Sequence, residues 1–216
     1  MANLNEFISE FKNGIQRNNR FRCFIDVPAS IVDGTDGLPL STKYPNAARL
    51  LQRGLVCSNT SLPNRRFETT EQTIYGFSVN YPIGVTYGDL DCTFMAPLFG
   101  DTTGTGVPDL GTQRNEILDF FHAWQNLIQD HRDNRALVLR FPDEYRIAEG
   151  FKLVTYNDQN EGSTMIQFFN VYPLTVSQAT LDWAQTDFLT FSVTFSYTHW
   201  NNIDGRSGLT SARVIG

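Results

Sequence analysis

From Leu189 to His199 the chain alternates without a fault: Leu189, Phe191, Val193, Phe195, Tyr197 and His199 fall on one face, and Thr190, Ser192, Thr194, Ser196 and Thr198 on the other. A period of two held this long predicts one extended strand, apolar on one side and lined with hydroxyls on the other. A strand of this kind must pair with others before its backbone groups are satisfied. The chain therefore has to build a sheet, and the apolar face has to be covered.

Other stretches supply the partners. Phe21, Cys23, Ile25 and Val27 alternate with Arg20, Arg22 and Asp26 until Pro28 stops the ladder. Gly54 to Thr60 reads as a second strand, and the turn Leu62-Pro63-Asn64 leads into Arg65 to Thr70, with a polar break expected at Glu71-Gln72. Tyr75, Phe77, Val79 and Tyr81 alternate with Ile74, Gly76, Ser78 and Asn80. After Pro82-Ile83-Gly84 a further strand sets Leu90, Cys92 and Phe94 against Asp89, Asp91 and Thr93. Strands are also expected at 136–141, 145–156 and 164–172.

Helical spacing occurs twice. Leu4, Phe7, Ile8, Phe11 and Ile15 suggest a short N-terminal helix, and Ile117, Phe120, Phe121, Trp124, Leu127 and Ile128 mark a stronger one with a single buried stripe. Residues 28–53 and 100–113 read as insertions or long loops, the first with a helix-compatible run, NAARLLQR. The expected fold is mainly β: an antiparallel sandwich or small barrel of seven or eight strands with one packed α-helix. It forms one domain over 1–200, followed by a loose tail over 201–216.

Composition narrows the function. A formal charge of −6 argues against a nucleic-acid binder, because affinity for phosphates comes from clustered Lys and Arg. The first twenty residues lack the apolar run of a signal peptide, and no stretch approaches a membrane span. Cys23, Cys57 and Cys92 are widely spaced without a CxxC pair, so they read as buried free thiols rather than a disulfide framework or a zinc site.

Catalytic candidates are thin. Asp119 and His122 share a helix face and His131 follows, but exposed helical residues account for that spacing. Asp89 and Asp91 read as acids on a solvated sheet face. The loop GDTTGTGVPDLG lacks the Gly-Lys-Ser/Thr ending of a phosphate-binding loop, and no GxSxG elbow occurs. No catalytic residue, metal ligand or cofactor is assigned.

Several segments, taken in order, resemble the tail tube proteins of contractile bacteriophages, a family related in fold to the inner tubes of type VI secretion machines. They are Arg17-Asn18-Asn19-Arg20-Phe21; Cys57 to Pro63 (CSNTSLP); Asp89 to Met95 (DLDCTFM); Phe121 with Trp124-Gln125; Tyr172-Pro173-Leu174-Thr175; Leu181-Asp182-Trp183; and Leu189 to Tyr197. The resemblance spans Arg17 to about Trp200.

It implies a structural virion protein, assembled in the host cytoplasm, whose six copies form a ring with a shared β-barrel. Stacked rings would make the inner tube that conducts the genome into the host. The implied partners are further copies of the chain, the tail sheath outside, and the tape measure protein and then DNA inside without specific binding. Baseplate and neck proteins would sit at the ends. By the same resemblance, Glu68 to Tyr87 corresponds to a long hairpin that touches the next subunit or ring, with Glu68, Thr69, Thr70, Glu71, Gln72, Tyr81, Pro82 and Tyr87 as contact candidates. Thr190, Ser192, Thr194, Ser196 and Thr198 become candidates for the channel wall. A tube initiator at the baseplate, a terminator at the neck and a secretion-system tube protein are alternatives within the class. A monomeric β-sandwich hydrolase or binding module is the alternative outside it.

Overall fold

The computed structural model describes residues 16–32, 37–74, 76–100, 113–129, 139–177 and 187–203. In chain order the elements are β1 (Phe21–Ile25), α1 (Leu40–Lys43), α2 (Pro45–Arg53), β2 (Cys57–Thr60), β3 (Arg65–Ile74), β4 (Phe77–Tyr87) and β5 (Leu90–Met95). Then come β6 (Phe99–Gly100), β7 (Gln113–Arg114), α3 (Glu116–Ile128), α4 (Pro142–Tyr145), β8 (Phe151–Tyr156), β9 (Gly162–Phe169), β10 (Tyr172–Val176), β11 (Thr190–Ser196) and β12 (His199–Ile203).

The strands make two four-stranded antiparallel sheets, ordered β1-β8-β9-β12 and β10-β11-β5-β2, together with a β3-β4 hairpin and a small β6-β7 pair. The mainly β, antiparallel class expected from the sequence is what forms, and among the described residues no sheet closes into a barrel. Each sheet turns one apolar face inward. Phe191, Val193 and Phe195 of β11 and Leu90, Cys92 and Phe94 of β5 meet Phe151 and Leu153 of β8 and Ile166 and Phe168 of β9 in one core. Phe151 and Phe195 touch across the sheets with ring centroids 5.0 Å apart.

Helix α3 covers this core with the stripe seen in the sequence. Phe121 lies 4.9 Å from Phe94, and the buried Trp124 indole donates to the Tyr145 carbonyl at 2.8 Å. Asn115 caps the helix, its side-chain oxygen accepting from the Leu118 amide. The first helical residue, Glu116, reaches back to the start of α2 and accepts from the Asn46 and Ala47 amides. A carboxylate at a helix N-terminus offsets both the unpaired amides and the helix dipole there. The described part of residues 28–53 accordingly contributes to the core, with Ile31, Leu40, Ala47 and Leu51 buried.

Several strand boundaries differ from the sequence reading. The run from Leu189 to His199 is two strands: β11 ends at Ser196, the Thr198 amide donates to the Phe169 carbonyl at 3.0 Å, and β12 pairs with β9 in the other sheet. Both halves face the same core, so hydrophobicity alone does not reveal the corner. The corner does shift the phase, for Tyr197 packs on the core before it and Trp200 after it. Strand β12 continues to Ile203, past the expected domain limit at 200.

Strand β3 runs straight through Glu71-Gln72, and β4 through Pro82. On a ribbon open to water, polarity marks no boundary. Pro82 is tolerated because the ladder shifts register between Glu68 and Thr69, opposite Gly84 and Pro82.

The expected strand 145–156 starts only at Phe151, after Gly150 at φ +123, where a Cβ would stand 2.8 Å from the Asp26 carbonyl oxygen. The stretch 164–172 is broken by Asn170 at φ 56, which separates β9 from β10. Gly54, at φ 65, ends α2 rather than opening β2. Of the expected strand 136–141, residues 139–141 are not extended into a ladder; the chain there enters α4 at Pro142. Residues 136–138, the expected N-terminal helix, most of the expected 100–113 loop, Leu181-Asp182-Trp183 and residues 204–216 lie outside the described residues.

Candidate assembly surfaces

The β3-β4 hairpin has ten cross-strand pairs, from Arg65 opposite Tyr87 to Ile74 opposite Phe77. Its described side chains are exposed or at most half-buried, including Phe67, Phe77, Val79, Tyr81, Ile83 and Val85. Phe77 is 80% exposed and Ile83 68%. An isolated two-stranded ribbon is marginal in water, and apolar groups on both strands add no stability while they face solvent.

Cross-strand partners share a face, and alternation along β3 assigns the faces. Near the base, Phe67 pairs with Val85 on one side. Beyond the register shift, Thr70 pairs with Tyr81 and Gln72 with Val79 on the opposite side. The bulge thus moves the apolar stripe from one face of the ribbon to the other, leaving Thr69, Glu71 and Thr73 on the face that Phe67 occupies lower down. Thr73 and Ser78 hydroxyls lie 3.4 Å apart there.

The base of the hairpin is clamped. Arg65 places its guanidinium 4.7 Å from the Trp200 ring centroid and 5.6 Å from that of Tyr87, and donates to the Trp200 carbonyl at 3.4 Å. Tyr87 meets Tyr197 edge-on at 6.2 Å. The Gly88 amide donates to the Asn64 side chain at 3.0 Å. The contact candidates Glu68, Thr69, Thr70, Glu71, Gln72, Tyr81 and Pro82 stand on the exposed ribbon, and Tyr87 is at the clamp. The clamp itself was missed in the sequence, since Arg65 and Trp200 lie 135 residues apart.

The second surface is the outer face of the β10-β11-β5-β2 sheet. Thr93 and Ser192 hydroxyls lie 3.2 Å apart, and Thr194 donates to the Asp91 carboxylate at 2.6 Å. Ser58 donates to the Thr93 carbonyl, and the Ser192 amide to the Ser177 hydroxyl at 2.8 Å. The hydroxyl row is thus part of a cross-strand network. Thr190 and Ser196 continue it in β11, whereas Thr198 belongs to the corner. Asp91 and Thr93 were legible by parity, for both sit opposite in phase to Leu90, Cys92 and Phe94. Among these four strands the one charged residue is Asp91, with no Lys or Arg. The β1-β8-β9-β12 sheet carries Arg22 and Lys152.

Among the described residues the enzymatic candidates do not converge. Asp119 and His122 are exposed on α3, and His131 is outside the described residues. His199 is stacked on Phe169, with centroids 4.5 Å apart and planes 5° from parallel. The three cysteines are buried free thiols, as expected, and are gathered at one point.

The sequence matches the model of the phage tail tube protein family over residues 16–203. The chain belongs to that family. This tail tube protein is thereby a structural component of a phage tail. Its fold is similar to the anti-feeding prophage cap, a tube terminating cap, at 10% identity and a TM-score of 0.51, over 88% of this chain and 91% of the other. It is also similar to a chain in the sheath/tube terminator of the PVC extracellular contractile injection system, at 11% identity and a TM-score of 0.50, over 87% and 96%. Likeness at such identity is a likeness of fold. No curated protein sequence is matched. Among the described residues of the tail tube protein, no helix is long and apolar enough to cross a membrane.

Proposed function

We propose that six copies of this chain close into a ring, and that the rings stack into the inner tube of a contractile tail through which the genome passes. The observation that carries this reading is the β3-β4 hairpin, a ribbon with apolar side chains on opposite faces at its base and tip and with no core of its own. A neighbouring copy burying those side chains would stabilise it at roughly 25 cal/mol per Å² of apolar surface covered. Among the described residues β1, β12, β10 and β2 are the outermost strands of their sheets, and edges of this kind suit pairing with adjacent subunits into one barrel.

In this reading the β10-β11-β5-β2 sheet faces the channel. Its hydroxyl network and lone Asp91 give a wetted wall without cations, which lets a polyanion slide instead of holding it. The sheath lies outside, the tape measure protein and then DNA occupy the channel, and baseplate and neck proteins end the tube. The role is mechanical and requires no catalysis, cofactor or metal.

Negative-stain microscopy of the purified protein across a concentration series tests the reading. Hollow tubes with six-fold end views are the expected result. Isolated rings point to an initiator or terminator of the same tube. A chain that stays monomeric at every concentration, even with baseplate seeds, would falsify the assembly.

A further inference from the structure

The chain has three cysteines, and the fold brings all three together. Cys23 comes from β1 in one sheet, and Cys57 and Cys92 from β2 and β5 in the other. Their sulfurs all lie within 4.8 Å of one another, and the residues are 1%, 9% and 0% exposed. Two polar groups adjoin them: the Thr60 hydroxyl is 3.3 Å from the Cys92 sulfur, and the Cys57 thiol donates to the Asn59 carbonyl at 3.4 Å.

We propose that Cys23, Cys57 and Cys92 form a binding site for one soft monovalent cation of the Cu⁺ class, held by three sulfur donors between the sheets. The geometry is close to ready. Metal–thiolate bonds run about 2.3 Å, and three of them in a plane put the sulfurs about 4 Å apart. The observed spacing reaches that arrangement with small side-chain movements. The donor set selects the ion: thiolates favour soft Cu⁺, whereas a structural zinc site takes four ligands. Among the described residues no His, Asp or Glu joins the cluster.

The step balances simply. As the cation binds, the thiols of two cysteines release their protons to solvent and the third donates as a neutral thiol, leaving one negative charge. The Thr60 hydroxyl is placed to donate to it. No electron changes hands, because the ion enters already reduced.

The test uses the full chain, reduced and handled without oxygen, titrated with Cu⁺ in the presence of a competing Cu⁺ chelator. One copper per chain is expected to survive gel filtration. Its X-ray absorption spectrum should show sulfur alone in the first shell, and Cys57→Ser should bind at least about tenfold more weakly, the size of loss seen even for groups that only support ligands. Surrender of all copper to the competitor overturns the proposal, as does a nitrogen or oxygen first shell. Equal binding by Cys57→Ser also overturns it. Should that variant not fold, the wild-type spectrum decides alone.

Discussion

Arg65 shows how much one exposed side chain can organise. Its guanidinium lies between Trp200 and Tyr87 and so ties the hairpin base to β12. At an exposed site such contacts contribute about 0.5–1 kcal/mol. Arg65→Ala should therefore lower monomer stability by about that much in a denaturant titration, yet markedly raise the concentration at which tubes form, because the hairpin loses its set angle. Arg65→Lys should restore little, since an ammonium lacks the planar face that stacks. Equal assembly by wild type and Arg65→Ala would mean that the clamp is incidental. The residues that make such points were the least legible part of the sequence. Gly150 and Asn170 fall inside two expected strands, and only their positive φ values show where those strands are cut. The cysteine cluster depends on three strands meeting, which no spacing along the chain discloses.

At the scale of elements, periodicity served well where an element is buried on one face. The stripe of α3 and the alternation of β5 and β11 both read correctly, because a core enforces them. On the hairpin it found strands at Arg65 to Thr70 and through Phe77, Val79 and Tyr81 but missed their full length, because no core filters residue choice there, and it missed the Tyr197–Thr198 corner, where two strands share one core. The hairpin also carries the clearest prediction. Phe77→Asp combined with Val79→Asp changes only exposed side chains, so monomer stability should move by no more than about 0.5 kcal/mol. Tube formation should be lost, as scored by sedimentation. Tubes of normal yield from this variant would remove the hairpin from the assembly. The outer face of the β10-β11-β5-β2 sheet makes a second case. Thr190 is exposed opposite Met95, and Thr190→Lys should leave tubes intact while letting them co-sediment with short DNA at low salt and release it at high salt. Tubes of this variant that ignore DNA at every ionic strength would place that sheet away from the channel.

The described residues of the molecule make a sandwich with helix α3 over its core and the β3-β4 arm exposed. The sandwich was legible because its inner faces alternate in sequence. The role proposed for the arm rests on resemblance and on its exposed apolar side chains, since one chain does not display its neighbour. What the structure adds is the reversal of the apolar stripe at the Glu68–Thr69 bulge, which presents Phe67 and Val85 to one side and Val79 and Tyr81 to the other. An arm with two such faces suits insertion between two bodies of protein better than docking on one. The most direct measurement is a cryo-electron microscopy reconstruction of assembled tubes at side-chain resolution. Six-fold rings are expected in which Phe77, Val79 and Tyr81 are buried against another copy, with the Ser192 and Thr194 face lining the channel. A tube whose hairpins project into solvent, or whose channel is lined by the Arg22 and Lys152 sheet, would contradict this arrangement.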